Sequence, residues 1–339
     1  MSGIDVDLTL IFAGIGAFAV FMYVLLDGFD LGVGILFPWA PGGDADRDLM
    51  MNSVAPIWDG NETWLILGGA ALFAGFPLAY AVLLPALYLP LLLMLIALIF
   101  RGVAFEFRFK ADTSRRLWDW SFHLGSLFAT FAQGVILGGF IQGFEVQGRD
   151  YAGGLFDWLT PFSIMTGVAL VAGYALLGAA WLVMKTDGAL QDWSYRVAGL
   201  ALLAVLVFIA VVSLWTPLHS DAIRDRWFSL PNLYYLSPVP LLTAAVAAAL
   251  FGALRRRRET APFVLAMGLF LLSYLGLAIS LWPYLVPPAF TLWDAASPPE
   301  SQVFLLVGLA FLIPTTLLYT AFTYWVFRGK VRPGAGYQH

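Results

Sequence analysis

The sequence predicts an all-α integral membrane protein with about nine transmembrane helices. Of its 339 residues, 60% are hydrophobic and only 12% are charged, and the mean hydropathy is +0.82. A soluble domain carries about 25% charged residues. Charge is also absent from long stretches, notably from Leu8 to Leu26 and from Thr63 to Phe100. One crossing takes about 20 apolar residues, so the second stretch is predicted to form two spans.

Uncharged stretches and proline or glycine breaks organise the chain, 1–339, as a single polytopic membrane domain. The predicted spans lie near 8–26, 60–76, 78–100, 122–143, 161–184, 197–215, 239–254, 262–283 and 303–327. Gly75 and Pro77 are predicted to form the turn between spans two and three. The opening residues MSGIDVD lack the basic region of a secretory signal peptide, so we expect the first span to be retained.

Basic residues are distributed unevenly between the two sides that nine spans define. With the N-terminus outside, 15 of the 18 basic residues lie in inside segments, and the exceptions are Arg149, Arg224 and Arg226. Cytoplasmic loops carry such an excess of Lys and Arg, so we predict a periplasmic N-terminus and a cytoplasmic C-terminus. The run Arg255–Arg258 is interpreted first as a topology determinant and second as an anionic-lipid site.

Charged residues within or beside the predicted spans are the candidates for function, because burying a charge in a membrane is costly. Asp27 and Asp30 are three residues apart at the end of span one and therefore share a helix face. Asp59 and Glu62 have the same spacing at the start of span two, and Arg101 ends span three. The predicted topology places all of these residues near the cytoplasmic side.

The alternative is that these residues only mark helix ends at the membrane surface. Asp59 would then cap span two or interact with its positive N-terminus. For Asp27, Glu106 and Arg108 we favour this structural interpretation. The structural and functional interpretations are balanced for three residues, namely Asp59, Asp30 and Arg101. Arg101 ends the hairpin arm next to span two, so we expect it to reach Asp59 or Asp30.

Histidine and cysteine, the common ligands of haem iron and metal clusters, are scarce. The sequence has no cysteine and only three histidines, His123, His219 and His339. His123 is predicted at the membrane surface where span four begins, and His219 is predicted in an outside loop. A bis-histidine haem or an imidazole-rich metal site needs more candidate ligands than this. We therefore predict that the chain binds no haem and no metal of its own.

Several of these segments resemble subunit II of the cytochrome bd-type quinol oxidases. The matching motifs are DGFDLGVG at 27–34, NSVAPIWDGNETWLILGGAALFAGFP at 52–77, FRGVAFEFR at 100–108, WDW at 118–120 and LWDA at 292–295. Together with the nine-span pattern, the resemblance covers essentially the whole chain. The short hydrophilic loops resemble the cyanide-insensitive branch of this family.

The resemblance implies two four-helix bundles plus one peripheral helix, paired with subunit I as a pseudo-symmetric heterodimer in the bacterial inner membrane. It implies quinol oxidation coupled to reduction of dioxygen to water. Subunit I would hold the quinol-oxidising loop and the haems, which are two b-type haems with haem d or a third b-type haem. The resemblance also allows three further partners: a bound quinone, lipids and a small single-span accessory subunit. It does not imply a nucleic-acid partner.

The resemblance also implies roles for individual residues. By position, Asp59 would belong to a proton route from the cytoplasm to the oxygen site, with Glu62 in the polar cluster around it. Three further residues match family positions tied to activity or assembly, namely Asp30, Arg101 and Asp119. No residue pattern identifies a quinone site within this chain.

Two other classes of protein remain open from the sequence. A secondary transporter would show inverted repeats and helices broken near the midplane. No repeat is evident here, and the acidic residues lie toward one face of the membrane. A purely structural membrane anchor subunit is the second alternative, and it would tolerate neutralisation of Asp59.

Overall fold

The computed structural model describes residues 7–332, with only the backbone of His219, so His339 lies outside the described residues. In chain order the helices are α1 (Leu8–Leu36), α2 (Asp44–Val54), α3 (Trp58–Gly75), α4 (Pro77–Ala86), α5 (Tyr88–Phe107), α6 (Arg115–Gln142), α7 (Pro161–Lys185), α8 (Gly188–His219), α9 (Asp221–Phe228), α10 (Asn232–Leu236), α11 (Pro238–Arg255), α12 (Ala261–Leu281), α13 (Leu292–Ala295) and α14 (Pro299–Val326). Two short antiparallel hairpins lie in the connections: β1 (Val146–Gln147) with β2 (Asp150–Tyr151), and β3 (Tyr284–Val286) with β4 (Phe290–Thr291).

The number of membrane spans agrees with the prediction. Within the described residues, eight helices are long and apolar enough to cross a membrane, and the bent pair α3–α4 makes a ninth span. The prediction of an all-helical protein with about nine spans is therefore confirmed. Four predicted spans agree with the observed helices to within a few residues, namely those that correspond to α7, α11, α12 and α14.

The first helix is longer than predicted. The span placed at 8–26 continues as α1 to Leu36, so Asp27 and Asp30 lie inside the helix and not after its end. The α-helix ends before Pro38, because proline has no N–H to donate to the carbonyl of Gly34, and a short 3-10 turn follows over Phe37–Trp39. The two aspartates do not end the helix, because a basic side chain of α5 pairs with them, as described below.

The hairpin predicted for spans two and three is wrong in part. The turn lies where it was expected, and α4 follows α3 there after a bend of 119°. The span placed at 78–100, however, breaks at Leu87 into α4 and α5. Pro90 has no N–H to donate to the carbonyl of Ala86, which removes a helical hydrogen bond across this break.

Three other helices extend beyond the apolar stretches that predicted them. Helix α5 continues to Phe107, which places Arg101 inside the helix and not at its end. The span placed at 122–143 begins at Arg115, and the sixth span begins at Gly188. Hydropathy detects only the part of a helix that lies in hydrocarbon, so polar turns beyond it were missed.

The spans form two four-helix bundles and one peripheral helix. Helices α1, α3, α5 and α6 pack as the first bundle, α7, α8, α11 and α12 pack as the second, and α14 lies against α1 and α3. The bundles meet where α7 packs on α1 and α6. A Cβ atom at Gly32 of α1 or at Gly178 of α7 would overlap the backbone of the other helix. Small residues therefore allow the close approach of the two bundles.

Contacts between helix ends place the two described chain ends on opposite sides. Trp293 donates a hydrogen bond to Asp7 at 2.8 Å, which joins the start of α1 to the segment before α14. This hydrogen bond lowers the pKa of Asp7. At the other end of the bundles, Lys185 donates to the carbonyl of Phe327 at 2.6 Å, next to the end of α14. An odd number of spans requires that the two chain ends lie on opposite sides of the membrane, as they do here.

Candidate functional site

A buried ion cluster, which we call the Arg101 cluster, joins three helices of the first bundle. Arg101 Nη1 of α5 lies 2.6 Å from Asp27 Oδ1 of α1 and 2.8 Å from Glu62 Oε1 of α3. Arg101 Nη2 lies 3.8 Å from Asp30 Oδ2. The side chains of Arg101 and both aspartates are 0% exposed, whereas that of Glu62 is 25% exposed. The structure thus brings together four of the predicted polar residues.

Neutral side chains complete the surroundings of Asp30. Asn61 Nδ2 donates to Asp30 Oδ2 at 2.6 Å and lies 3.3 Å from the carbonyl oxygen of Leu26. Tyr324 of α14 donates to Asn61 Oδ1 at 3.0 Å, which connects the peripheral helix to the cluster. Sequence reasoning missed Asn61 and Tyr324. Asn61 is uncharged and Tyr324 is remote in the chain, and only the position of Asn61 within the WDGNETW motif offered a signal.

Local sequence explains why these side chains meet. Asp27 and Asp30 project from the same face of α1 because they are three residues apart. The ring of Trp58, the first residue of α3, stacks on Phe105 of α5 with a centroid distance of 4.9 Å. This contact holds the start of α3 beside α5, one turn from Arg101. Glu62, one turn further along α3, therefore faces the guanidinium.

Asp59 lies outside the ion pairs, although it is one turn from Glu62 on α3. Its side chain is exposed, and no described residue forms an ion pair with it. The structural alternative for Asp59 was a cap or an interaction with the positive N-terminus of the helix. Asp59 does not cap, because the capping position is Ile57, but it lies in the first turn of α3, where the second interaction is possible. Of the two contacts expected for Arg101, the structure contains the one with Asp30 and not the one with Asp59.

Uncharged polar side chains continue from the cluster to the boundary between the bundles. Gln133 of α6 donates to Tyr23 Oη at 2.7 Å, and Tyr174 of α7 donates to Gln133 Oε1 at 2.8 Å. Tyr23 lies one turn before Asp27 on α1. Hydrogen-bonding groups therefore extend from the Arg101 cluster to the second bundle.

Asp119 belongs to a separate cluster centred on Arg108, the residue that follows α5. Arg108 Nε lies 2.5 Å from Asp119 Oδ1, and Arg108 Nη1 lies 2.6 Å from Asp48 Oδ1 of α2. Arg47 lies 3.6 Å from Asp119, and Arg115 pairs with Asp48. These ion pairs hold α2 and the first turns of α6 against the end of α5.

Two of the three residues interpreted as interfacial are buried, and that interpretation is wrong for them. Asp27 and Arg108 are both 0% exposed, because each pairs with an oppositely charged residue on another helix. Such pairing makes burial of an ion tolerable. Glu106 is exposed and lies 3.5 Å from Lys110, as the interfacial interpretation expects.

His123 is also buried, contrary to the expectation of a surface position. Helix α6 begins at Arg115, so His123 lies in its third turn and is only 4% exposed. Its Nδ1 lies 3.1 Å from the carbonyl of Gly34, and its ring contacts Trp39 and Trp120. Among residues 7–332, no group of three or more His, Cys, Asp or Glu side chains is placed to hold a metal.

Comparison with known proteins decides the family. The family model for cytochrome bd terminal oxidase subunit II matches residues 8–327. The chain belongs to the cytochrome bd terminal oxidase subunit II family. It is therefore a subunit II of a bd-type quinol oxidase, an oxidoreductase complex of the bacterial inner membrane that also contains a subunit I.

Relatives match over almost the whole length of the subunit. Cytochrome bd-I ubiquinol oxidase subunit 2 of Escherichia coli (strain K12) is 31% identical over 347 residues, which cover 91% of each chain. Cytochrome bd ubiquinol oxidase subunit 2 of Bacillus subtilis (strain 168) is 29% identical and covers 91% of this chain and 92% of its own. The structure of bd oxidase from Geobacillus thermodenitrificans has a TM-score of 0.69 at 18% identity, covering 95% of this chain and 99% of that one. This structural similarity confirms the predicted fold.

We predict that Asp119→Asn lowers the amount of assembled complex but leaves turnover per complex unchanged. The substitution removes the charge of a partner of the buried Arg108, and weakening a hydrogen bond to a charged group costs about 1–3 kcal/mol. Asp112→Asn is the matched control, because Asp112 is an exposed acid in the same α5–α6 connection. The measurement is the yield of purified complex together with its oxygen consumption per haem. Normal yield with reduced turnover would instead place Asp119 in the reaction.

Proposed function

We propose that this subunit supplies the cytoplasmic part of the proton path that serves dioxygen reduction in subunit I. Reduction of dioxygen to water consumes protons, so a reaction site within the membrane needs protonatable groups that reach it from water. One observation carries the proposal. The acids of the first bundle become steadily less exposed, from the exposed Asp59, through Glu62 at 25%, to Asp27 at 0%.

Charge balance in the Arg101 cluster supports proton binding there. Its three carboxyl groups surround one guanidinium, so full ionisation would leave two negative charges without a partner. Uncompensated charge is costly in a low-dielectric interior, and carboxyl groups in such sites bind protons instead. Asp30 is the carboxyl that we assign as neutral. It is fully buried and lies 3.8 Å from Arg101, whereas Asp27 lies at 2.6 Å.

Protons would then enter at Asp59 and pass to the cluster through Glu62. These two residues are one turn apart on α3 and face the same side of the helix. Asp59 is exposed and lies in the first turn of α3, so water reaches this end of the path. Glu62 is partly exposed and contacts Arg101 directly, so it connects the entrance to the buried acids.

The remaining components of the reaction are assigned to the partner. We propose that subunit I holds two b-type haems, with haem d or a third b-type haem, and oxidises the quinol. The relatives from Escherichia coli and Bacillus subtilis are named ubiquinol oxidases, which supports a quinol as electron donor. The scarcity of histidine and the lack of cysteine support the absence of haem from this chain. A bound quinone and a small single-span accessory subunit remain components that the family allows.

A purely structural role is the second candidate function, and the same ion pairs favour it. The Arg101 cluster joins α1, α3 and α5 whether or not protons move through it. Transport is a weaker alternative. The bent pair α3–α4 is a broken helix such as transporters contain, but an internal repeat is not evident in the sequence.

We predict that Asp59→Asn gives an assembled complex with normal haem content and quinol-dependent oxygen consumption reduced by about tenfold or more. Asn keeps the size of the side chain but cannot carry a proton. Assembly should survive, because Asp59 makes no ion pair with a described residue and its loss removes only about 0.3–1 kcal/mol of helix-dipole interaction. The measurement is oxygen uptake per haem in the purified complex.

The matched control for this experiment is Glu106→Gln. Glu106 is an exposed carboxylate on α5, so its neutralisation changes the surface charge equally without touching the proposed entrance. Full turnover of the assembled Asp59→Asn complex would remove Asp59 from the proton path. Failure of that variant to assemble would support the structural role.

We also propose a periplasmic N-terminus and a cytoplasmic C-terminus, from the excess of basic residues on one side. The chain has no cysteine, so single cysteines report accessibility without interference. Thr113 precedes α6 and Gln147 lies in the β1–β2 hairpin, and both are exposed. We predict that an impermeant maleimide labels Gln147→Cys in intact spheroplasts and Thr113→Cys only after lysis. The reverse pattern would invert the topology.

A further inference from the structure

A groove opens on the outer surface of the second bundle between α8 and α11. Its volume is about 510 Å³, and its apolar wall consists of Gly199, Leu200, Phe251 and Leu254. Leu200 is 71% exposed and Phe251 is 50% exposed. Both helices are membrane spans, so this wall faces hydrocarbon and not water. An acyl chain is the kind of ligand that such a wall accommodates.

Positive charge lies at one end of the groove. Arg196 of α8 and Arg255 of α11 line it, and both side chains are exposed. Arg255 packs on the Phe251 ring at 4.6 Å, which positions its guanidinium beside the apolar wall. Among the ion pairs of residues 7–332, neither arginine has an acidic partner. Two guanidinium groups without an acidic partner therefore lie at one end of the apolar groove.

Unlike Arg196 and Arg255, the neighbouring Arg257 has an acidic partner. Arg257 pairs with Asp192 and lies 5.0 Å from the ring of Tyr195, another residue of the groove. Its charge is thus used within the chain, whereas those of Arg196 and Arg255 are available to a ligand. The hydroxyl of Tyr195 is buried and has no hydrogen-bond partner among the described residues. The groove end therefore combines two free cations with an unsatisfied hydroxyl.

We propose that this groove binds one anionic phospholipid from the leaflet on the arginine side. The phosphate would lie between Arg196 and Arg255, whose planar guanidinium groups match phosphate oxygens. One acyl chain would lie along the wall that includes Gly199. The proposal depends only on the membrane location of the two helices, and not on the proton path proposed above.

The first test separates a defined site from general attraction of basic residues for anionic lipid. The purified complex in detergent is titrated with 1-palmitoyl-2-oleoyl-phosphatidylglycerol, and native mass spectrometry counts bound lipid. The double variant Arg196→Gln/Arg255→Gln should weaken binding by about tenfold or more. The matched control Arg256→Gln/Arg258→Gln removes the same charge from exposed arginines that do not line the groove, and it should change affinity less than about threefold.

The second test fills the apolar part of the groove without changing any charge. A Cβ atom at Gly199 would meet nothing within 4 Å, so Gly199→Leu should leave the fold intact while it occupies the groove. Gly252→Leu is the matched control, because Gly252 of α11 has equal space but does not line the groove. We expect Gly199→Leu to weaken phosphatidylglycerol binding by about tenfold and Gly252→Leu to leave it unchanged.

The results that overturn the proposal are specific. Equal losses in the two arginine double variants would show that the attraction is diffuse. Unchanged binding in Gly199→Leu would place the lipid elsewhere. Equal affinity of the wild-type complex for phosphatidylcholine with the same acyl chains would remove the role of charge. A polypeptide found in the groove in place of lipid would identify it as a protein interface.

Discussion

The ion pairs of Arg101 are the interaction on which the first bundle depends. A guanidinium that is 0% exposed inside a membrane protein is stable only with anionic partners, and these come from α1 and α3. The ion pairs therefore fix the depth and rotation of three helices at once. Asn61 and Tyr324 extend the same network to the peripheral helix. Because acids outnumber the single base, the cluster that stabilises the bundle is also suited to hold protons.

Much of the fold could be predicted from the sequence, because uncharged stretches measure the hydrocarbon thickness directly. The errors have two physical origins. The first span was ended at Leu26 since charge followed, but Asp27 is neutralised by a residue 74 positions away and the helix continues to Leu36. The break at Leu87 was missed because a proline does not always interrupt a membrane helix, and α14 continues through Pro314.

The charged residues of the candidate site could be predicted from the sequence, but the contacts between them could not. Charge in an apolar setting identified Asp30, Glu62 and Arg101, and their contacts agree with a shared cluster. Which acid pairs with Arg101 depends on helix rotation, which neither spacing nor hydropathy determines. Asn61 and Tyr324 are uncharged, so a search for charge in an apolar setting does not find them.

We expect a carboxyl group of the Arg101 cluster to hold a proton that exchanges during turnover. Infrared difference spectroscopy of the assembled complex, reduced minus oxidised, tests this most directly because protonated carboxyl groups have a distinct C=O stretching band. We expect such a band, shifted in D₂O and absent in Asp30→Asn, because Asp30 is the buried acid farthest from Arg101. A wild-type spectrum without this band, or a band that persists in the assembled Asp30→Asn complex, would contradict proton binding in the cluster.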